Sequence, residues 1–576
     1  MSGPDWEKQF SDDYNVLVAW EHLEQGNASL TSYFRFAKYG RNILNSHVVT
    51  NGAVSPDYSH GIDLKGYYHG CINSISPLRQ SVGTELQPRI IFPTITLALV
   101  RDDSDEIREF LTVVERTKHL SDYSGYARVY VVKCGTDIDP VNDLYYEGVV
   151  DRHSVNIFPD RIEVSLSDQF AYLDDVELPA KTYSSSDFPE LDDDAEGLSI
   201  PILFGATEGD PLSGGINGRM WLPITCTRVK DTAAGNPAYW FKLCDPMSQG
   251  IQFASGQTKI YVLNPDGSFK TTYEAAPLSV LEGRLQGVSA SHDGSDWTRG
   301  ERFYIRGHST LGGNLDDSGT LIENPATIWY LLLTHYAGVP ESMIDSGWMD
   351  VRDYLDEGLL CPIKARCFLW KPRKLTTILE DLCSNFGLLT FVHKGKFRLN
   401  LGPIYREQNT DTQLVPNDIL HGGFQVRSFF GPKRQSIVRV YYGWQEEDIP
   451  KFEQADPPVT LPDQPFRRLQ NEVYAMRTSA GPTGADAVES LGMNWIGETA
   501  TAEMVARLFS GFVNSDATQV DATVIKRMMQ GALGQVTEIA HPSLDRTLCA
   551  QVLERNTDLW QGLTSIKAVD IARDDE

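Results

Sequence analysis

The chain has 576 residues, 41% hydrophobic and 22% charged, which suits roughly three to five domains of about 100–200 residues and argues against wholesale disorder. A formal net charge of −27 and a pI near 4.8 speak against a non-specific grip on phosphate or anionic lipid, which needs an excess of Lys and Arg. No stretch of 18 consecutive apolar residues is present, so no membrane span is expected.

The opening MSGPDWEKQFSDDY lacks the basic start and apolar core of a secretory signal. The eight scattered cysteines read as reduced thiols of a protein made in a cytoplasm. In DEIREFLTVVERT, Ile107, Phe110, Leu111 and Val114 recur at helical spacing, with Asp105 and Glu106 at the positive end of the helix. ARVYVVKC (127–134) and YYEGVV (145–150) are β-branched and aromatic runs, and RIEVSLSDQF alternates Ile162, Val164 and Leu166 with polar residues, the period of a half-buried strand. KTYSSSDFPELDDDAEGLSIP (181–201) is Ser-rich, then acidic, and reads as a linker.

TKIYVLNPDGSFKTTYEA predicts a hairpin turning at Asn264–Pro265–Asp266–Gly267. NPATIWYLLLTHYAGVPESMID is apolar on every side from Ile328 to Leu333. Asn324 suits its N-cap, Pro325 its first turn, and Gly338 and Pro340 its end, so a short fully buried helix is expected, not a membrane feature. SGWMDVRDYL follows as another short helix. RKLTTILEDLCSNFG places Leu375, Ile378, Leu379, Leu382 and Phe386 on one face before Gly387, and LLTFVHKGKFRLNL turns back at Lys394–Gly395, enclosing the apolar helix. KRQSIVRVYYGW (433–444) and TSIKAVDI (564–571) read as strands, TAEMVARLFSGF as a helix, and the Pro- and Asp-rich 446–465 as an exposed excursion. No fixed-period repeat of the solenoid kind is visible.

Catalytic chemistry finds little support. GHSTLGG (307–313) has Leu311 where a nucleophile elbow around Ser309 needs glycine. GDPLSGGING (209–218) lacks the Lys-Ser/Thr of a phosphate loop. Cys361, Cys367 and Cys383 match no zinc or iron–sulfur spacing and read as core thiols. Asp192–Asp193–Asp194 and Asp102–Asp103 read as solvated carboxylates, since an acid/base pair needs one member buried. Trp348, Trp370 and Trp444 are candidates for interface anchors or for core packing. No catalytic, cofactor-binding or metal-ligating residue is named, and no cofactor is expected.

The order of segments carries more than any motif. LYYEGVVDRHSVNIFPDRIEVSLSDQF leads through a Leu-Pro linker to IPILFG and then KIYVLNPDGSF. NPATIWYLLLTHYAGVPESMID and RKLTTILEDLCSNFGLLTFVHKGKFRLNLGP follow, and VRVYYGW, GALGQVTEIAHPSL and CAQVLERNTDLWQGLTSIKAVDI come last. This succession resembles the tail hub proteins of long-tailed bacteriophages, also called baseplate hub or tail tip attachment proteins, and their gene-transfer-agent relatives. It spans about residues 95–440 and 500–572.

The resemblance implies a mainly β fold with α+β insertions, in which two tube-like β-barrel domains flank β-rich and small α/β domains. Residues 1–60 would be an N-terminal extension that contacts partners, 61–182 the first barrel, 183–200 an acidic linker, 201–320 a β-rich domain and 321–400 a small α/β domain. Residues 401–445 with 514–576 would form the second barrel, and 446–513 an excursion with a helix. The implied role is a homotrimeric, non-enzymatic virion protein at the tail tip, made and assembled in the host cytoplasm. It would join a sixfold tube to a threefold tip and let DNA pass through an acidic lumen without specific binding. Its neighbours would be the distal tail protein, the tape measure protein and tail fibre or spike proteins. The alternatives are a β-rich cell-wall or polysaccharide hydrolase and a receptor- or carbohydrate-binding tip module.

Overall fold

The computed structural model describes residues 14–23, 31–44, 48–50, 61–84, 87–117, 124–134, 136–140, 142–188, 191, 195–205, 322–369, 371–405, 412–429, 435–442, 471–476, 487–513, 517–525, 533–544 and 546–571. Between 206 and 321 it describes 224–230, 239–242, 252–253, 259–264, 266, 269–274, 284–287, 302–306 and 309–310. The described chain is mostly β-sheet.

The first large sheet is built from β1 (Tyr14–Leu23), β2 (Thr31–Ala37), β3 (Ile72–Ile75), β5 (Thr94–Val100), β6 (Ser124–Lys133), β7 (Leu144–Ile157) and β8 (Arg161–Asp168), with the short β4 (Leu78–Ser81) leaving it after β3. Its order is β2-β1-β6-β7-β8-β5-β3. Ile162, Val164 and Leu166 are buried, as the alternation in RIEVSLSD requires. Within the span read as an N-terminal extension, β1 pairs along its whole length with β6, from Tyr14 opposite Lys133 to Leu23 opposite Ser124. Its run NVLVAW buries both faces: Val16, Val18 and Trp20 lie in one core and Leu17 and Ala19 in another. Helix α1 (Asp105–Thr117) lays Ile107, Phe110 and Val114 onto the first of these, with the Phe110 ring 4.9 Å from Trp20 and 5.4 Å from Phe36.

The two edges of this sheet meet through one segment. Ile72–Ile75 pairs with β5, while three residues earlier His69 bridges Phe36 of β2, its N–H donating to Arg35 O at 2.9 Å and its carbonyl accepting from Ala37 N at 2.6 Å.

The acidic stretch after β8 is folded rather than extended. Thr182 bridges Ser199, and Tyr183, Phe188 and Ile200 form a small core of their own. Its composition conceals these apolar side chains, against which Leu191 also packs. The strands 224–230, 239–242, 259–263, 269–274, 284–287 and 302–306 form a six-stranded antiparallel sheet that includes the expected hairpin, with Lys259–Leu263 opposite Phe269–Glu274.

The apolar run forms α2 (Pro325–Leu331), continuing to Tyr336 as a wider turn; Asn324 Oδ1 accepts from Ala326 N at 2.9 Å. Ile328, Trp329, Leu332 and Leu333 are all fully buried. Around them lie α3 (Trp348–Glu357), α4 (Leu375–Phe386) and the hairpin β9 (Leu388–His393)–β10 (Lys396–Leu401). Trp348 is a core residue stacked on Tyr330 at 4.4 Å. Helix α4 ends at Gly387, which adopts φ 62°, and a Cβ there would run into Ile404. Gly387→Ala is expected to cost about 2–5 kcal/mol, left-handed strain plus overpacking, read as a fall in the urea midpoint.

The second large sheet takes β11 (Thr412–Leu414) and β12 (Ile419–Ser428) from one end and β16 (Thr518–Ile525), β17 (Val536–Ile539), β18 (Leu548–Asp558) and β19 (Leu563–Asp570) from the other, in the order β11-β17-β18-β19-β16-β12. Strand β13 (Gln435–Tyr442), read as part of this unit, belongs elsewhere. It is the centre of a three-stranded sheet with β14 (Asn471–Met476) and β15 (Ala487–Met493), covered by α5 (Thr499–Val513). Its partnership with β15 is parallel, which requires the long crossover between them. The α2–α4 region, this three-stranded sheet and the second large sheet share a single continuous core.

The two large sheets repeat one another. In each, a run β6-β7-β8-β5 or β17-β18-β19-β16 has the same chain order, and a final strand, β3 or β12, pairs antiparallel with β5 or β16. RIEVSLSD and LTSIKAVD are both eight residues long and end on a buried acid, Asp168 opposite Gly148 and Asp570 opposite Ala550. Both β7 and β18 bulge at the same place, after Val150 opposite Leu166 and after Val552 opposite Ala568. Beyond the bulge, Val155 opposite Val164 corresponds to Arg555 opposite Ile566. The second unit is also bridged edge to edge by one bent segment: Thr412–Leu414 pairs with β17 and, after a single turn at Pro416–Asp418, Ile419–Ser428 pairs with β16. The first unit differs by the two extra strands β1 and β2.

Candidate functional site

Residues singled out for chemistry do not converge. Ser309 lies in a two-residue strand opposite Phe253, and Asp102 Oδ1 accepts from Ser104 N at 3.0 Å, as a turn before α1. Cys383 is buried inside α4, where burial raises its thiol pKa far above the usual range. Residues 209–218, Asp192–Asp194, Trp370 and Trp444 lie outside the described residues. Among the described residues no three His, Cys, Asp or Glu side chains group as a metal site, and no helix is long and apolar enough to cross a membrane.

What the fold does concentrate is the junction between its two repeated units. Strand β4 leaves the first unit and pairs antiparallel with the part of β18 beyond the bulge, from Leu78 opposite Thr557 to Ser81 opposite Glu554. Val82 N continues the ladder to Leu553 O at 3.0 Å. In return, the β18–β19 turn enters the first unit. Leu559 is buried in the core of that unit, Lys38 lies 4.5 Å from the Trp560 ring, and its Nζ donates to Trp560 O at 3.3 Å.

The β9–β10 hairpin wedges into the same junction. Gln80 Nε2 donates to Val392 O at 3.3 Å, Gln169 Nε2 to Gly395 O at 2.9 Å, and Lys394 Nζ to Asn142 O at 3.3 Å. His393 is buried here, and desolvation, reinforced by Arg555, Arg398 and Lys394, holds its pKa well below the ordinary value. Arg555 is 2% exposed, lies 5.4 Å from the Tyr145 ring and donates through Nε to Thr557 Oγ1 at 3.1 Å. The junction is thus a ladder, the apolar insertion of Leu559 and the hydrogen bonds of the β9–β10 hairpin around the buried Arg555, which together fix one unit against the other.

Beside it lies an open groove of about 910 Å³ lined by Arg79, Arg427, Asp521, Glu554, Asn556 and Lys567, among others. Arg427 pairs with Asp521 at 3.0 Å and Lys567 with Glu554 at 2.9 Å. Each carboxylate there is held in an ion pair. The groove is locally cationic, with Arg79, Arg427, Arg555 and Lys567 against Asp521 and Glu554, unlike the chain as a whole.

The two equivalent buried acids are structural. Burial pushes Asp168 up to about 7, against the opposing hydrogen bond from Phe170 N to its Oδ1 at 2.9 Å. Asp570 is raised by the same cause, opposed by Arg546, whose Nη2 lies 2.7 Å from Oδ2. They sit in different units, in matching places, and form no pair.

No family model and no curated protein matches the chain. Among solved structures it is similar to a chain of the virion of a native gene transfer agent particle, at 13% identity and a TM-score of 0.33, covering 70% of this chain and 94% of that one. It is also similar to a 43 kDa tail protein of prophage MuSo2 from Shewanella oneidensis, at 9% identity, a TM-score of 0.36 and coverage of 92% and 99%. A tail protein from Neisseria meningitidis MC58 matches at 8% identity, a TM-score of 0.35 and coverage of 91% and 96%. Likenesses this shallow carry no weight in the functional reading, which rests on the topology above.

The sequence reading missed the junction. Leu78–Ser81 is too short to stand out, and Leu559–Trp560 reads as an ordinary turn until its partner surface is known. The shared terminal Asp of RIEVSLSD and LTSIKAVD was the one legible sign of the repeat.

Proposed function

We propose that this chain is a structural virion protein, the trimeric hub at the distal end of a phage-type tail. The observation that supports this is the internal repeat: one chain carries two sheet units of matching topology, locked side by side. In this reading each unit is a tube-like β-barrel, closed by His69 against Phe36 in one and by the bent 412–428 segment in the other. Closure removes the strand edges that make β-rich chains aggregate.

Three copies then present six similar units around one axis, so a sixfold tube can end on a threefold tip. The six-stranded sheet and the α2–α4 region hang from that ring toward the tip. The distal tail protein above, the tape measure protein within and fibre or spike proteins below are the fitting neighbours. DNA passes through the lumen without specific contacts, helped by an acidic chain that repels phosphate. The reading assigns no catalysis.

The test is the solution mass of the full chain. Sedimentation or light scattering is expected to give three times the 64.3 kDa chain mass. A chain that stays monomeric at all concentrations, alone and with the distal tail protein, would exclude the hub.

A further inference from the structure

The groove beside the junction has the polar face of the second large sheet as its floor. Two rows of cross-strand neighbours cross it. One runs Gln425, Asp521, Lys567, Glu554 and Ser81 over β12, β16, β19, β18 and β4, and the next runs Thr523, Ser565, Asn556 and Arg79. Successive side chains of a strand point to opposite faces, so Val520, Ala522, Val524, Ile566 and Ala568 fill the core and leave these rows outside it. At the β12 end the ladder with β16 breaks between Ile419 and Phe424, and Gly422 and Gly423 carry no side chain there. A Cβ on Gly423 would stand 3.0 Å from Thr523 Cβ, so glycine keeps that end of the groove open.

The repeat supplies an internal control for the charges. Asp521 opposite Lys567 stands where the first unit has Thr96 opposite Ser165, a neutral pair with its hydroxyl oxygens 3.3 Å apart. The ladder therefore forms without charge at that place, and the charged row is a feature of the second unit. Its two carboxylates are taken up by Arg427 and Lys567. Arg79, exposed at the β4 end, has no ion-pair partner among the described residues. With the buried Arg555 also lining the groove, four cations stand against two carboxylates, in a chain whose formal net charge is −27.

We infer that this groove is a docking site for an extended acidic segment of a partner protein, with Arg79 as its anchor. Five strands at about 4.8 Å spacing make a floor about 19 Å across, the length of about six residues of extended chain. The excess positive charge selects carboxylates, and the Thr523, Ser565 and Asn556 side chains can donate to the carbonyls of a chain lying over them. A nucleic-acid strand fits less well. Its continuous line of phosphates would pass over Asp521 and Glu554, whereas a peptide can set a carboxylate at Arg79 and neutral residues over those two. Among the described residues no aromatic side chain lines the groove, so a sugar or base ring has nothing to stack on. The inference goes beyond the hub reading and does not need it, because every residue of the groove belongs to one chain.

The test is fluorescence anisotropy with the full chain and three labelled probes: a short peptide of alternating Glu and Ser, its Lys and Ser counterpart, and a thymidine oligonucleotide of similar length. The Glu peptide is expected to bind the wild-type chain, more weakly as salt rises. Arg79→Glu is expected to raise its dissociation constant about tenfold, and Arg79→Lys, which keeps the charge, no more than about threefold. Ser565→Trp fills the floor without changing any charge and is expected to weaken the Glu peptide about tenfold as well. The Lys peptide, drawn to the acidic remainder of the chain, is expected to bind all of them alike. Far-UV dichroism checks that each variant is folded; if Ser565→Trp fails to fold, Arg79→Glu decides alone.

A Glu peptide that fails to bind wild type, or binds Arg79→Glu equally well, overturns the site. Unchanged binding to a folded Ser565→Trp chain overturns the groove floor as the contact. An oligonucleotide that binds more tightly than the Glu peptide and is lost in Arg79→Glu overturns the peptide in favour of a phosphate ligand. A trimer that dissociates in Arg79→Glu would make the occupant a second copy of this chain and overturn the partner. A monomeric wild type that binds the Glu peptide through Arg79 overturns the hub and leaves the groove standing.

Discussion

Replacing Trp329 with alanine is expected to cost about 3–5 kcal/mol, the range for emptying a large aromatic site in a well-packed core. The side chain is fully buried at the centre of the core shared by α2–α4, the three-stranded sheet and the second large sheet. Its Nε1 donates to Thr390 Oγ1 at 2.9 Å, and its ring lies 6.4 Å from Phe397. The alanine variant loses packing and also leaves the fully buried Thr390 hydroxyl without that donor. Trp329→Phe separates the two effects, because it refills most of the volume and loses only the hydrogen bond, at about 1–3 kcal/mol. Urea unfolding followed by tryptophan fluorescence and far-UV dichroism checks both. A midpoint unchanged in the alanine variant would mean that this core is not the cooperative unit.

The second large effect is a pH dependence centred on Asp168. Its folded-state pKa is raised to about 7 from 3.8, chiefly by burial. Between those values the native chain keeps a proton that the unfolded chain has released, so the contribution of Asp168 to stability is full below about pH 4 and is lost as pH rises through about 7. A shift of about three units corresponds to at most roughly 4 kcal/mol across that window. Asp168→Asn keeps an oxygen to accept from Phe170 N and carries no charge. It is therefore expected to match wild type near pH 4 and to exceed it in melting temperature at pH 8. Equal melting curves at pH 8 would show that burial does not raise the pKa of Asp168. Asp570 is raised in the same direction and adds to the same trend in the second unit.

Local signals read well wherever one element can satisfy itself. The N-cap at Asn324, the left-handed Gly387 after α4, the Lys394–Gly395 turn and the alternation of β8 all follow from residues within a few positions of one another. Signals failed where the partner is far away in the chain. Tyr14–Leu23 finds its partner about 110 residues later in β6, and β13 pairs with β15 across an excursion that composition alone renders as loop. The stretch 181–201 looked like a linker because Ser and Asp outnumber the three apolar side chains that fold it.

By itself the sequence determined the β-rich class and the buried helix at 325–331, because periodicity, caps and turn residues act over a few positions. The closeness of the two repeated units, the strand β4 lends to β18 and the insertion of Leu559 were decided only by tertiary structure. Strand pairing is chosen by which backbones meet, and every backbone carries the same donors and acceptors whatever its side chains.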